Sequence, residues 1–479
     1  MEIIKVTDTL YYVGPRDQLG IPITIREPGK VQIILTDIDN TLVGSASGRK
    51  FPKSETDYAF LPGALEKIQN YQKLGVPVIG ITNQGGIEFA IKKGATTRVE
   101  LLLRRILNIA IEAGVSIWVA GGYDQFRKPQ TGIFEYCIWP LAPDCQSWVY
   151  VGDAAGRATD HSDTDRKFAY NIQRLLSMKS ANREKLLARV NSKKLLPSGE
   201  GSSKTSKATP PTLAVPKINI PKSPAASPTP APVTSVSVGK VSARVLNSAR
   251  ALAQASKIVF VTPEEFIYRE SPQDRTFSGF DPGEYLKHLP KDAYEAQETL
   301  LDRIRTTLLQ KPGLLIMIGY PASGKSTIAR RIAANTSIQV VHRDLVVRNL
   351  NDQLINALQA KTSVILDSTN PKRVSRMAIV QEVHQRLGST TPVYYLNVHS
   401  SLDLAKHVNH WRAWLVEHYK LHESIAKHQK PLPTVAFTKF MAEYQEPSLD
   451  EGVDQIWNTS LIPKFEDEES RVRFLQFQE

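Results

Sequence analysis

This 479-residue sequence has no long apolar run, only two cysteines and no recognisable secretory leader. No stretch of about 18 apolar residues offers a membrane span, so we expect no membrane insertion. Only Cys137 and Cys145 could form a disulfide, and residues 1–6 do not show the basic-then-apolar order of a signal peptide. These absences predict a protein of a reducing, intracellular compartment.

Composition and length place the chain among globular proteins of more than one domain. A hydrophobic content of 41% and a charged content of 23% are typical of that class. At roughly 150 residues per domain, 479 residues predict two or three domains. We therefore expect separate cores, each with its own motifs.

The formal net charge of +12 is concentrated in one segment. Ten lysines and five arginines, against Glu184 and Glu200, lie between Ile172 and Lys257, so this segment holds the whole positive excess. Within it, residues 195–239 are rich in Pro, Ser, Thr, Ala and Lys, a composition that predicts disorder. Three interpretations of this segment stay open: a flexible, solvated loop, a nonspecific tether for nucleic-acid phosphates, and a nuclear-import signal.

β-rich apolar stretches alternate with helical patterns on both sides of the basic segment. Such alternation predicts two α/β domains, each with a doubly wound parallel sheet, interrupted by a long disordered insertion. In these sheets the ligand site lies beyond the carboxyl ends of the strands. We predict an N-terminal extension over residues 1–30, a first domain over 31–171 and 258–289, a basic insertion over 172–257, and a second domain over 290–479.

The segment from Asp37 to Thr41 places two carboxylates directly after a predicted strand. Asp37 can attack phosphorus to form an aspartyl-phosphate, and Asp39 can protonate the leaving oxygen and then activate water. Carboxylates repel a phosphate, so we expect Mg²⁺, held by Asp37, the main-chain carbonyl of Asp39 and Asp153.

Other side chains follow in chain order. Thr82 and Asn83, at the next strand end, are expected to bond phosphate oxygens, and Lys128 is expected to neutralise negative charge. An Asp-rich turn alone is weak evidence for a phosphoryl-transfer site, because such turns also form ordinary loops and helix caps. The nearby Asp160, Asp163 and Asp165 are expected to form a solvated acidic loop, with Mg²⁺ support by one of them as the alternative.

A second phosphate-handling motif follows the predicted strand Leu314–Ile318 and precedes a helical pattern. It fits G-x-x-x-x-G-K-[ST], in which main-chain N–H groups cradle phosphates. Lys325 is expected to reach the β- and γ-phosphate oxygens of ATP, and Ser326 to bind Mg²⁺. The predicted ATP site comprises Gly319, Tyr320, Pro321, Ala322, Ser323, Gly324, Lys325, Ser326 and Thr327.

Three further residues are candidates for the ATP-dependent reaction. Asp344 could take the proton from an attacking hydroxyl, and Asp367 is placed like an acid on the Mg²⁺ side. For both, a helix cap is the alternative. Arg412 could close over the phosphates, or it could be a solvated helix arginine.

The residues in and around these motifs resemble those of known enzyme families. The first set is similar to the haloacid dehalogenase phosphatase superfamily, and both sets together look like the polynucleotide kinase 3′-phosphatase family. The phosphatase half is matched by residues 47–52, 82–87, 127–129, 151–157 and 262–266, and the kinase half by residues 343–344, 367–371 and 447–452.

The resemblance implies a bifunctional enzyme that removes 3′-phosphates and phosphorylates 5′-hydroxyls with ATP and Mg²⁺. It implies Asp344 as the general base, DNA ends as substrates in preference to RNA, a monomer, and the nucleus rather than the cytoplasm. His410 stands where the family tends to carry an arginine, and Ser368 replaces a usual Asn. We do not expect the forkhead-associated module of many animal members, so docking to repair scaffolds is not predicted.

Three other functions remain as alternatives. The same chemistry could serve RNA end repair, or a small-molecule phosphatase could be fused to a metabolite kinase. A nucleic-acid-binding scaffold with vestigial sites is the third, and the presence of every named catalytic residue counts against it.

Overall fold

A computed structural model describes residues 1–21, 23, 32–192, 256–343, 350–419 and 431–478. The chain divides into two compact units, Met1–Ser278 and Gly279–Gln478. Residues 193–255 of the predicted insertion and the predicted base Asp344 lie outside the described residues.

The first unit is built from β-strands and α-helices around one large sheet. The strands are β1 (Glu2–Lys5), β2 (Leu10–Gly14), β3 (Ile33–Thr36), β4 (Val43–Gly44), β5 (Ala59–Phe60), β6 (Val78–Asn83), β7 (Ser116–Ala120), β8 (Ser147–Val151) and β9 (Lys257–Val261). The helices are α1 (Ala64–Lys73), α2 (Gly86–Lys92), α3 (Thr96–Ala113), α4 (Thr164–Leu176) and α5 (Ser180–Ser192).

The sheet of the first unit has seven strands in the order β1-β2-β7-β6-β3-β8-β9. From β7 to β9 all neighbours pair in parallel. The parallel arrangement brings the carboxyl ends of β3, β6 and β8 to one edge, where the predicted motifs follow. The predicted fold class is confirmed here.

The first residues of the chain belong to this sheet. Although we predicted an extension over residues 1–30, β1 and β2 pair with each other and β2 pairs with β7, both antiparallel. All five residues of β2 are buried. Burial of this apolar strand against the sheet edge is the physical reason for its position.

The predicted basic insertion begins later than its charge suggested. Residues 172–176 complete α4, and α5 follows within the part that we assigned to the insertion. Leu186 and Val190 on α5 are 1% and 5% exposed. Apolar residues at positions i and i+4 share one helix face, and burial of that face holds α5 in the first unit.

The second unit repeats the same architecture. Its strands are β10 (Leu314–Ile318), β11 (Gln339–His342), β12 (Val364–Asp367), β13 (Val393–His399) and β14 (Gln455–Ser460). Its helices are α6 (Pro282–His288), α7 (Ala293–Gln310), α8 (Lys325–Ala333), α9 (Leu350–Gln359), α10 (Arg373–Leu387), α11 (Leu402–Tyr419), α12 (Thr434–Glu443) and α13 (Glu468–Phe474).

The five strands of this unit form one parallel sheet in the order β11-β12-β10-β13-β14. Successive side chains of the central strand point to opposite faces. Leu314, Ile316 and Ile318 pack with residues of α9 and α10, whereas Leu315 and Met317 pack with residues of α7 and α8. Helices therefore cover both faces, as a doubly wound fold requires. Within the described residues, no helix has the length and apolarity that a bilayer crossing needs.

A buried ion pair joins two of the motifs in this unit. The Arg376 guanidinium donates to Glu451 Oε2 and Oε1 at 2.9 and 2.7 Å, and both side chains are fully buried. Arg376 also donates to the carbonyl oxygens of Asn370 and Pro371 at 3.2 and 2.9 Å. Tyr395 completes the set by donating to Glu451 Oε2 at 3.0 Å. The residues after β12 and the chain before β14 are thus held together.

We predict that Arg376→Met lowers the free energy of unfolding of the second unit by about 3–5 kcal/mol, because Glu451 would remain charged, buried and unpaired. Arg373→Met is the matched control. Its partner Asp450 lies 2.6 Å away, but both side chains are exposed, so the loss should be about 1 kcal/mol or less. Denaturant unfolding of the two variants tests this, and equal losses would contradict it.

Candidate active sites

The Lys128 ammonium lies at the centre of the first site. It donates to Asp37 Oδ1 at 2.5 Å, to Asp165 Oδ1 at 2.7 Å and to the Tyr150 hydroxyl at 2.9 Å. Tyr150 donates in turn to Asp165 Oδ1 at 2.8 Å. Lys128 is only 4% exposed, so its charge is balanced by these two carboxylates rather than by water.

Thr41 connects the end of β3 to the end of β8. Its hydroxyl lies 3.2 Å from Asp153 Oδ1 and 3.4 Å from Asp37 Oδ2, and it accepts from the Asp153 main-chain N–H at 3.0 Å. Thr41 is fully buried. The threonine of the Asp-x-Asp-x-Thr motif therefore brings together the two aspartates predicted to bind metal.

Three carboxylates face one another around this centre. One oxygen from each of Asp37, Asp153 and Asp165 lies within 4.8 Å of the others. Burial raises the pKa of Asp37 well above its usual range, Lys128 opposes that rise, and Asp165 and Asp153 add to it. Burial, and next to it the charge of Asp165, raise the pKa of Asp153 to about 6.

The donor set fits a hard divalent cation. Three carboxylates against one buried ammonium leave an excess of negative charge, and Mg²⁺ prefers oxygen ligands. Burial alone would lower the pKa of Lys128, yet the charges of Asp165 and Asp37 raise it, so the lysine stays cationic beside the carboxylates. We expected Asp37, the Asp39 carbonyl and Asp153 as ligands, with support from one of three nearby aspartates as the alternative. Of those three, the geometry brings Asp165 to the site as a candidate ligand.

Asp39 occupies a more open position than Asp37. Its side chain is 41% exposed, whereas that of Asp37 is 9% exposed. Gln84 Nε2 donates to Asp39 Oδ2 at 2.6 Å, and Arg105 Nη1 lies 2.8 Å from Oδ1. An exposed carboxylate beside a buried one suits a group that must exchange protons with water.

The two residues at the end of β6 have different surroundings. Thr82 is 1% exposed, and its hydroxyl accepts from Gln84 Nε2 at 3.1 Å. Asn83 uses its side chain on the main chain of Lys128: Nδ2 donates to the carbonyl at 3.1 Å, and Oδ1 accepts from the N–H at 2.9 Å. The Asn83 amide therefore holds the main chain of Lys128, whereas the sequence led us to expect a contact with phosphate.

The expectation of a solvated acidic loop at residues 160–165 is wrong. Asp163 and Asp165 are each 3% exposed, and Asp163 accepts from Ser278 N at 2.6 Å and pairs with Lys167 at 3.0 Å. Asp160 accepts from the N–H groups of Ala155 and Arg157, both at 3.0 Å. The start of α4 turns these carboxylates inward. Sequence reasoning also missed Tyr150, Gln84 and Arg105 as members of this site. Of these, only Gln84 lies in a stretch that carried the resemblance, residues 82–87.

The second site is the turn between β10 and α8. Gly319 and Gly324 have φ values of 145° and 87°, which favour glycine, and a Cβ on Gly319 would lie 2.5 Å from the Val398 carbonyl oxygen. Lys325 Nζ donates to the Gly319 carbonyl at 2.9 Å and approaches Ser323 Oγ at 3.4 Å. The predicted strand, turn and helix are all present, so the turn has the backbone that a phosphate cradle requires.

Asp367 lies beside this turn at the end of β12. His342 Nδ1 lies 2.8 Å from its Oδ2, and Ser326 is a hydrogen-bond partner. Burial acts to raise the pKa of Asp367, but His342, Ser326 and Lys325 outweigh it, and the pKa is lowered. An ionised carboxylate next to the Ser326 hydroxyl fits the predicted Mg²⁺ site.

Two predicted residues are not brought to this turn by any described contact. Asp344 lies outside the described residues. Arg412 on α11 donates to Asn409 Oδ1 at 3.1 Å, and its Nε is buried without a partner among the described residues. Burial lowers the pKa of Arg412. Its predicted place over the phosphates stays a prediction.

Two family models match the chain. Residues 32–176 match the family described as polynucleotide kinase 3 phosphatase, and residues 314–414 match one described as an AAA domain. These stretches contain the Lys128 centre and the turn before α8, respectively.

Three relatives extend the comparison. The "Bifunctional polynucleotide phosphatase/kinase" of Schizosaccharomyces pombe is 24% identical over 465 residues, covering 94% of this chain and 83% of that protein. An "Uncharacterized 20.8 kDa protein" of Autographa californica nuclear polyhedrosis virus is 34% identical over 152 residues, covering 30% of this chain and 80% of its own. The "Polynucleotide 3'-phosphatase ZDP" of Arabidopsis thaliana is 32% identical over 123 residues, covering 22% of this chain and 18% of its own.

We predict that Asp165→Asn weakens Mg²⁺ binding to the first site roughly 10–100-fold, because removing its charge reduces the negative excess around Asp37 and Asp153. Calorimetric titration of the full chain with Mg²⁺ measures this directly. Asp144→Asn, at an exposed position, is the control and should leave the affinity unchanged. Unchanged affinity in both variants would remove Asp165 from the metal site.

Proposed function

Because this chain belongs to the polynucleotide kinase 3′-phosphatase family, we propose that it heals nucleic-acid ends through two separate sites. The first unit removes 3′-phosphates and the second phosphorylates 5′-hydroxyls with ATP. Ends so treated carry the groups that a ligase joins. The clustering of Asp37, Asp153 and Asp165 around Lys128 is the observation that carries the phosphatase assignment.

The phosphatase reaction proceeds in two displacements. An Asp37 carboxylate oxygen bonds to phosphorus, the bond between phosphorus and the 3′-oxygen breaks, and the leaving oxygen takes the proton of the Asp39 carboxyl. Asp39 then takes a proton from water, whose oxygen attacks phosphorus and breaks the bond to Asp37. Inorganic phosphate leaves, and both aspartates return to their starting states.

The buried groups prepare Asp37 for this role. Lys128 holds one Asp37 oxygen at 2.5 Å, which fixes the direction of the nucleophile. Mg²⁺, when bound by Asp37, Asp153 and Asp165, would offset the repulsion between carboxylates and the incoming phosphate. Thr82, at the same sheet edge, is proposed as a donor to the phosphate oxygens.

The kinase reaction uses the turn before α8. Its main-chain N–H groups and Lys325 hold the ATP phosphates, and Ser326 with Asp367 would hold the accompanying Mg²⁺. The 5′-oxygen bonds to the γ-phosphorus, the bond to the β-phosphate oxygen breaks, and ADP leaves. Asp344 is proposed to take the proton of the 5′-hydroxyl, with Arg412 as the proposed lid residue.

The finer aspects of substrate and setting follow the family resemblance. We propose DNA ends in preference to RNA ends, a monomeric protein, and action in the nucleus. RNA end repair is the main alternative, because the same two reactions would serve the 3′-phosphates and 5′-hydroxyls of RNA.

One oligonucleotide with a 5′-hydroxyl and a 3′-phosphate tests both assignments at once. With ATP and Mg²⁺, we expect the wild type to change both ends. Asp37→Asn should lose the removal of the 3′-phosphate and keep the 5′ phosphorylation. Lys325→Ala should lose the 5′ phosphorylation and keep the removal of the 3′-phosphate. Asp8→Asn, whose side chain is 97% exposed, should behave like the wild type. If the wild type alters neither end, the end-healing proposal fails and small phosphate esters become the candidates.

A further inference from the structure

Arg105 connects the acid Asp39 to the loop over residues 45–58, which joins β4 to β5. From α3, its Nη1 lies 2.8 Å from Asp39 Oδ1, and its Nε donates to the Asp57 carbonyl oxygen at 3.1 Å. Arg105 is 4% exposed. A guanidinium is costly to bury without partners, so both contacts are needed to keep it there.

The 45–58 loop has an internal frame and is anchored on α3. The Asp57 carboxylate accepts from the main-chain N–H groups of Ser47 and Lys53 at 2.8 and 2.9 Å. Arg98 and Asn108 of α3 donate to loop carbonyl oxygens, of Pro52 at 2.7 Å and of Glu55 at 3.1 Å. Arg105 lies between these two anchors in sequence and differs from them because it also contacts Asp39.

Both oxygens of the Asp39 carboxylate have a donor. Arg105 contacts Oδ1, and Gln84 contacts Oδ2 at 2.6 Å. An Asp39 side chain that is 41% exposed would otherwise turn freely in solvent. We propose that Arg105 is a positioning residue that, held in place by the 45–58 loop, aims Asp39 at the leaving oxygen. This inference rests on the phosphatase function proposed above.

The leaving group distinguishes positioning from general structural support. An oligonucleotide 3′-phosphate expels an alkoxide that must be protonated, whereas p-nitrophenyl phosphate expels a stable phenolate that needs no proton. Asp39 also activates water in the second step, which both substrates share, so the comparison is made on the first turnover. Arg105→Met should lower the single-turnover rate of leaving-group release from the oligonucleotide about tenfold or more beyond its effect on release from p-nitrophenyl phosphate. In Asp39→Asn, adding Arg105→Met should bring little further loss on the oligonucleotide.

The controls keep the test decisive. Arg16→Met removes a surface arginine, which pairs with Glu2, and should leave both rates unchanged. Arg105→Lys keeps a charge and should recover part of the oligonucleotide rate, and it decides the matter if Arg105→Met does not fold. Equal losses on both substrates, or no loss, would overturn the inference, whereas a wild type inactive on the oligonucleotide would instead overturn the proposed function.

A second, independent observation is an exposed aromatic ring five residues before Lys128 in sequence. Tyr123 is 74% exposed, and the Arg127 guanidinium carbon lies 4.3 Å from its ring centroid. A Cβ on Gly85, two residues after β6 ends, would lie 3.0 Å from this ring. Arg127 Nη1 is shielded from solvent without a partner among the described residues.

This pair has the chemistry of a nucleobase platform. One side of the ring is covered by a cation, most of the ring is open to solvent, and every base can stack on an aromatic face. We propose that Tyr123 stacks on the base of the 3′-terminal nucleotide while Lys128 and its partners act on the phosphate. This recognition would favour polynucleotide ends over small phosphate esters, and it too rests on the proposed phosphatase function.

An abasic terminal nucleotide tests the platform from the substrate side. Tyr123→Ala should raise the KM for a 3′-phosphorylated oligonucleotide roughly 5–100-fold, and an abasic end should raise the KM of the wild type similarly. In Tyr123→Ala, the abasic end should not raise the KM any further. Tyr123→Phe should resemble the wild type, as should Tyr268→Ala, which removes another exposed ring of the same unit. An abasic penalty equal in wild type and Tyr123→Ala would overturn the proposal.

Discussion

The buried contact between the Lys128 ammonium and the carboxylates of Asp37 and Asp165 is the interaction on which the first site depends. It joins three separate stretches of chain: the end of β3, the loop after β7 and the first turn of α4. A charge buried to this extent is stable only when paired, so the stretches must meet for any of them to hold its place. The same contact directs the nucleophile and leaves a carboxylate excess that suits Mg²⁺.

Much of this arrangement could be predicted from sequence, because parallel strands bring their carboxyl ends to one edge. Asp37 and Asp153 each follow a predicted strand, and Thr41 contacts both at this edge. Lys128 was predicted from its order between the other motifs, and no strand was predicted before it. Asp165 could not be placed in the same way. It lies among other acidic residues in a polar stretch, and only the turn into α4 shows that its carboxylate points to Lys128. Local composition does not carry that information.

The same limit applies to the elements that lack a strong local pattern. β1, β2 and β14 complete the edges of their sheets, and pairing with a neighbour rather than periodicity identifies them. The start of the basic segment was misplaced because net charge does not reveal the apolar face of α5. In the second unit, the turn at Gly319 could be predicted from the sequence motif, because the positive φ angles of this turn favour glycine at fixed positions. The Arg376 pair was not, because it joins distant motifs.

The central claim is that Asp37 becomes covalently phosphorylated while Lys128 holds it in place. Rapid acid quench of the wild type within a single turnover on a 3′-[³²P]-labelled oligonucleotide, followed by peptide mapping, measures this directly. We predict transient protein-bound phosphate on the peptide that contains Asp37, released by hydroxylamine as an acyl phosphate should be. Release of product with no labelled protein at any time in the turnover would contradict the account.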